Sequence, residues 1–273
     1  MGRPMAQNVA AAGLDTRVWN RTLEKAEAVE GATVADSPAD AVNGADIVLT
    51  MLAEGHAVES VMTEGGALEA MGDHAIWIQT STVGIESTER LARLAEEHGV
   101  TFVDAPVLGT KAPAEKGELT LLVSGPEDAR EACAPVLDAI GSKTVWLGQA
   151  GEGTRLKLVT NTWLLSLLCD LAESLAFAER LGVDPRAFLE AIDGPVGSPY
   201  AQMKGPMMLG REFPTSFPLR LALKDLELVL EAAERHDARM PVASAAAGSF
   251  KRALEQGHGE EDMSAVYYAS VDA

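Results

Sequence analysis

Residues 154–182 constrain this chain more than any other stretch. They are nearly all helix-compatible, and Leu156, Leu158, Val159, Trp163, Leu164, Leu167, Leu168, Leu171, Leu175 and Phe177 leave few polar faces. A helix apolar on most sides is buried on most sides. About 29 residues at the ~1.5 Å helical rise span roughly 43 Å, long enough to leave one domain and cross another. A single chain of this size cannot easily hide such a rod, so a homodimer or larger assembly is expected. Lys157, Asn161, Asp170 and Glu173 interrupt the run, which makes it a poor membrane span.

The pattern on either side differs. Upstream, short β-type runs alternate with helical ones. The runs are Thr16–Trp19, Thr33–Val34, Asp46–Leu52, Ile76–Thr80, Thr101–Asp104, Leu119–Ser124 and Thr144–Leu147. That alternation predicts an α/β domain with a largely parallel sheet. A helix ended by Gly13 is expected at the start, and another over Ile85–His98. Downstream of residue 150 no strand alternation appears, and helices are expected at Pro185–Ile192, Tyr200–Leu209, Leu219–His236, Val242–Glu255 and Ser264–Tyr268. The division therefore falls near Gly148–Gly151, giving domains 1–150 and 151–273.

Composition narrows the function classes. With 47% hydrophobic and 23% charged residues the chain is globular. Its net charge of −19 supplies no basic footprint for nucleic acid or an anionic membrane surface. Cys133 and Cys169 are isolated in apolar settings, with no metal-ligand spacing around them, and suit a reducing compartment. No secretory signal pattern is found, and a cytoplasmic protein acting on a small molecule is expected. Within GEGTRLKLVTN (Gly151–Asn161), Lys157 and Asn161 lie at i and i+4. One basic group and one amide thus share a helix face.

Five separated stretches together resemble the β-hydroxyacid dehydrogenase family, in order and over the whole chain. Met1-Gly2-Arg3-Pro4-Met5 resembles the last third of the family's G-x-G-x-x-G turn and its helix, with Gly2 as the third glycine. The first strand and first two glycines of that pattern are not in the sequence, and a segment of about ten residues upstream is expected. Val18-Trp19-Asn20-Arg21-Thr22 stands where an acid normally binds a ribose 2′-hydroxyl. An amide, a guanidinium and a hydroxyl replace it, and an Arg can pair with a 2′-phosphate, so NADP(H) is expected over NAD(H). Met51-Leu52-Ala53 and Gln79-Thr80-Ser81-Thr82-Val83 follow strands; the second resembles D-x-S-T-[IV] with Gln for Asp. The resemblance implies that Leu52 and Ala53 line the cofactor and that Thr82 lies near the nicotinamide. By themselves Leu52 and Ala53 read as packing residues and Thr82 as a helix N-cap.

Asp104-Ala105-Pro106-Val107-Leu108-Gly109-Thr110 resembles D-A-P-V-S-G-G, whose Ser and second Gly help hold a substrate carboxylate. Leu108 removes one donor and Thr110 adds one, so Leu108, Gly109 and Thr110 are expected at the substrate, with a bulkier or less polar carbonyl. Residues 111–117 resemble the loop of the semialdehyde-reductase branch. Gly151, Gly153, Lys157 and Asn161 match G-x-G-x-x-x-K-x-x-N-N, with Thr160 for the first Asn. The match implies Lys157 as general acid/base, with Asn161 donating to the substrate oxygen or fixing the ammonium. Phe217–Leu226 resembles F-x-x-x-L-x-x-K-D-L, whose lysine, here Lys224, closes over the nicotinamide end. What the resemblance implies is a Rossmann-type, mostly parallel sheet followed by an all-α substrate and dimerisation domain, and an NADPH-dependent reductase. An imine reductase on the same fold and a non-catalytic NADP-binding module are the alternatives. Lys157 speaks against the first, which Leu108 mildly supports, and Lys157 together with Asn161 speaks against the second.

Overall fold

A computed structural model describes residues 1–194 and 197–271. It divides into two compact units, Met1–Lys157 and Leu158–Ala273. The division lies inside the long helix Glu152–Leu181.

The first unit carries eight strands. β1 (Arg17–Val18) pairs in parallel with β2 (Thr33–Val34). β3 (Ile47–Thr50), β4 (Ile76–Gln79) and β5 (Thr101–Asp104) form a second parallel sheet in that order. β6 (Val107–Leu108) runs antiparallel to β7 (Leu119–Val123), which pairs in parallel with β8 (Gly141–Trp146). An antiparallel bridge between Asp104 and Ser124 links β5 to the end of β7. The expected parallel character is present, and the antiparallel β6 is an addition to it.

Apolar, largely β-branched or aromatic runs bury β4, β5 and β7 on both faces. Met5, Ile76, Ile78, Val103, Leu119, Leu121 and Val123 belong to one core cluster; Val48, Trp77, Leu91 and Phe102 belong to the other. Trp77 meets Phe102 edge-on at 5.1 Å and donates to Thr50 Oγ1 at 2.9 Å, so its polar edge is satisfied in the interior. The helix Gly2–Ala11 drives Met5 into the first cluster and stops before Gly13, whose φ of +81° ends it as expected. The helix Ile85–Glu97 is capped by Gly84, not by Thr82, because the chain does not turn helical until two residues after the strand-end hydroxyls. Helices at Pro38–Val42, Gly55–Met62 and Ala129–Ile140 complete the crossovers.

Among the described residues the second unit has helices and no named strand. Its helices are Pro185–Ala191, Pro199–Gly210, Leu219–Arg235 and Pro241–Glu255, then a 3₁₀ turn at Met263–Tyr267 and a last turn at Tyr268–Val271. Three of them begin on proline, which has no N–H to leave unsatisfied there. Asp184 and Ser198 cap two of these starts through their side chains. On Leu219–Arg235 the buried positions Leu219, Ala222, Leu223, Leu226 and Val229 form one stripe, and Asp225 is buried with them. The long helix is not buried on most sides within one chain: Val159, Trp163, Phe177 and Leu181 are 65%, 61%, 64% and 61% exposed.

Candidate functional site

In an open parallel sheet, ligands bind beyond the carboxyl ends of the strands. In the first unit β1 runs out into Asn20-Arg21-Thr22, β3 into Met51-Leu52-Ala53 and β4 into Ser81-Thr82. Gly2 opens its helix against the end of β3: a Cβ placed on it would lie 3.5 Å from the Met51 carbonyl oxygen. Met1 is the N-cap of that helix. The Leu52 N–H donates to Ser81 Oγ at 2.8 Å, which ties the tips of β3 and β4 together. Asn20 Oδ1 accepts the Thr22 N–H at 2.9 Å in a tight Asx turn, leaving Arg21 and Thr22 exposed. Leu52 and Thr82 are half-buried and Ala53 is exposed.

The Gln that replaces Asp at position 79 has a clear local reason. Its Oε1 accepts the Ser81 N–H at 2.6 Å while its Nε2 donates to the Ser81 carbonyl at 2.9 Å. A carboxylate could make only the first of these bonds. Gln79 is fully buried, so both ends of the amide need partners and both have them.

Leu108 ends β6, half-buried and opposite Thr120, and Gly109 follows with φ +125°. A Cβ at Gly109 would come within 2.7 Å of Leu119 Cδ2, so glycine is required there by backbone and space alike. Thr110 is the N-cap residue of the short helix Lys111–Glu115, with no side-chain cap bond. The three residues expected at a substrate thus run from the end of β6 to the start of that helix, within one unit.

Lys157 lies on the second turn of the long helix, half-buried. The first turn is anchored through Thr154. Its N–H and Oγ1 donate to Asp104 Oδ2 and Oδ1 at 2.7 and 2.8 Å. Beside it the Gly153 N–H donates to Ser124 Oγ at 2.9 Å. Burial pushes the Asp104 carboxyl up to about 6, although the Thr154 and Ser124 donors act the other way.

In the second unit Asn161 is 3% exposed, and its Nδ2 donates to Asp225 Oδ2 at 2.8 Å. Asp225, 2% exposed, also pairs with Lys224 at 3.0 Å. A carboxylate only accepts, so the amide nitrogen must face Asp225 and the carbonyl oxygen must turn away. Sequence reasoning named Asn161 and Lys224 and passed over Asp225. The available signal was an acid on the apolar stripe of an amphipathic helix, the kind of buried polar residue that carries information.

Known proteins share this architecture along the full chain. Residues 1–148 match the family model described as the NAD binding domain of 6-phosphogluconate dehydrogenase. Residues 151–270 match that described as NAD-binding of NADP-dependent 3-hydroxyisobutyrate dehydrogenase. The chain is 35% identical to glyoxylate/succinic semialdehyde reductase 2, chloroplastic, of Arabidopsis thaliana, over 98% of this chain and 76% of the relative. It is 34% identical to 2-(hydroxymethyl)glutarate dehydrogenase of Eubacterium barkeri, over 97% and 90%. The solved structure of Mycobacterium tuberculosis 3-hydroxyisobutyrate dehydrogenase with L-serine superposes with a TM-score of 0.90 at 30% identity, covering 100% of this chain and 96% of that one.

Proposed function

The chain belongs to the β-hydroxyacid dehydrogenase family and is an NAD(P)-dependent oxidoreductase acting at CH–OH groups; on that premise we propose that it reduces a small semialdehyde or 2-oxo acid with NADPH, Lys157 supplying the proton. The observation that carries the reading is the buried Asn161 amide held in one orientation by Asp225, on the helix whose sequence also carries Lys157.

The residues present suit a dinucleotide. The helix start at Gly2 meets the β3 tip, and the β3 and β4 tips are tied at Leu52 and Ser81, which leaves backbone free to approach a pyrophosphate beyond the sheet. Met1, Gly2, Leu52 and Ala53 would hold the dinucleotide and Thr82 its nicotinamide end. Asn20, Arg21 and Thr22 would receive the 2′-phosphate, Arg21 as the bidentate partner. When bound, the nicotinamide supplies the hydride. The protein's part is the proton: a carbonyl oxygen becoming an alkoxide needs one at once, and Lys157 delivers it. With its nitrogen turned to Asp225, Asn161 keeps its carbonyl oxygen for another partner; it would fix the ammonium or act at the substrate oxygen. Leu108 in place of a hydroxyl side chain favours an aldehyde with a short apolar stem, and Thr110 supplies the donor that Leu108 lacks. Lys224 would add positive charge for an anionic substrate or cofactor.

The exposed stripe Val159, Trp163, Phe177 and Leu181 supports assembly as a homodimer through the long helix. The test of the chemistry is Lys157→Ala, assayed with NADPH against glyoxylate, succinic semialdehyde and cyclic imines. We expect kcat to fall by about 10²–10⁴ with NADPH affinity kept, the range for loss of a general acid. Undiminished turnover would remove Lys157 from the mechanism, and turnover of imines alone would move the activity to the imine reductases.

A further inference from the structure

Asp104 is a fully buried acid that the mechanism above does not use. It ends β5, and both of its oxygens take donors from one residue of the long helix: Oδ2 takes the Thr154 N–H and Oδ1 the Thr154 hydroxyl. Ser124 Oγ leans on the same carboxylate at 3.3 Å while accepting the Gly153 N–H. Thr88 Oγ1 approaches Thr154 Oγ1 from the helix Ile85–Glu97 at 3.2 Å. Two of the four orphan donors at the head of the long helix are therefore satisfied by strand-end side chains instead of by the helix's own cap. Contact is so close that a Cβ on Gly153 would run into the Leu122 carbonyl. The helix head is seated directly on the sheet, and Lys157 stands one turn beyond Thr154.

A cap made for stability alone needs only a hydroxyl or an amide. A carboxylate stripped of water is a costly choice, as its upward-shifted pKa of about 6 reflects, unless its two oxygens are needed to grip two donors at once. Gripping both N–H and Oγ1 of one residue fixes the rotation of the first turn as well as its height. Misplacement of a reacting group by about 1 Å costs on the order of 10²-fold in rate.

We propose that Asp104 is a positioning residue for the reaction, setting the place of the Lys157 ammonium through Thr154. The proposal rests on the reading of Lys157 as the proton donor. Its test uses the full-length protein, NADPH, and glyoxylate and succinic semialdehyde as probes. Asp104→Asn keeps the volume and loses one acceptor; Thr154→Val loses the hydroxyl; Thr154→Ser keeps it. Asp104→Asn and Thr154→Val are expected to lower kcat by about 10–10²-fold with NADPH Kd unchanged, and Thr154→Ser to stay within about twofold of wild type. Labelling of Lys157 by an amine-reactive reagent, followed by mass spectrometry, gives a readout independent of turnover. Its rate should change in Asp104→Asn and Thr154→Val and return in Thr154→Ser. Wild-type kcat and labelling in a folded Asp104→Asn or Thr154→Val would overturn the proposal. If Asp104→Asn does not fold, Thr154→Val decides alone. Failure of the underlying reading shows separately, as full turnover in Lys157→Ala.

Discussion

Removing the Lys204 ammonium strands a carboxylate that the helical unit has taken out of water. Lys204 and Asp262 side chains are 3% and 0% exposed, with Nζ 2.7 Å from Oδ1. Asp262 also accepts from the Ser216 N–H and Oγ at 3.0 and 2.6 Å, and from the Ser264 N–H and Oγ at 3.1 and 2.7 Å. Burial alone would raise its pKa. The hydrogen bonds from Lys204 and Ser216, the Lys204 charge and the bond from Ser264 outweigh burial and hold the carboxyl at about 2, against 3.8 for a free Asp. That gap corresponds to roughly 2–3 kcal/mol of stability in the charged, folded form. Deleting one partner costs more, about 3–5 kcal/mol, because the remaining charge keeps its desolvation and loses its counter-ion. Lys204→Met is therefore expected to lower the unfolding free energy of this unit by about 3–5 kcal/mol at pH 7, and Lys204→Met with Asp262→Leu to recover much of it. Because the folded pKa lies below the unfolded one, the contribution of Asp262 is complete above pH 4 and is lost as pH falls through about 2. The gap between wild type and Asp262→Asn should close over the same window. Urea unfolding read by hydrogen exchange in residues 199–218 and 259–271 measures both effects. A Lys204→Met protein within about 1 kcal/mol of wild type, the range of an exposed pair, would refute the reasoning.

Other outcomes follow from the same coordinates. Arg21→Asp should shift preference from NADPH towards NADH by about tenfold to a hundredfold in kcat/KM, the scale of a charge-assisted hydrogen bond; unchanged preference would leave Arg21 an ordinary exposed loop residue. The Asp104 carboxyl carries the opposite linkage to Asp262. Its folded pKa is raised to about 6, so its contribution is present below pH 4 and is lost as pH rises through 6. The stability of Asp104→Asn relative to wild type should therefore rise by about 3 kcal/mol between pH 4 and pH 8 in denaturant titrations, and a flat difference would contradict the burial argument. Trp163→Asp, placed on the exposed stripe of the long helix, should reduce the mass seen by light scattering to that of one chain; a wild-type protein already monomeric would sink the dimer proposal.

Legibility from sequence followed the range of the interactions involved. The long helix was readable almost to the residue because its apolar content repeats locally over thirty positions. The β3, β4 and β5 strands were readable for the same reason, their runs being continuous and apolar. Ala129–Ile140 was hidden by Pro135, which reads as a break yet sits inside the helix. β6 was hidden because Val107-Leu108 stands between Pro106 and Gly109, residues that read as loop. In the candidate site, Lys157 and Asn161 were visible as a spacing. Asp225 touches Asn161 across 64 positions of sequence, and Lys204 meets Asp262 across 58, distances over which no local pattern reports. The exposed stripe of the long helix departs from the burial rule as applied to one chain.

The amide at position 79 has a consequence for how the tips of β3 and β4 respond to acid. Gln79 clamps Ser81 by its N–H and its carbonyl, and Ser81 in turn receives the Leu52 N–H. An aspartate clasp would loosen on gaining a proton, and the crevice floor would change shape with it. The glutamine clasp has no proton to gain or lose in the working range. The clasp that ties the β3 and β4 tips thus brings no titrating group of its own to the strand ends.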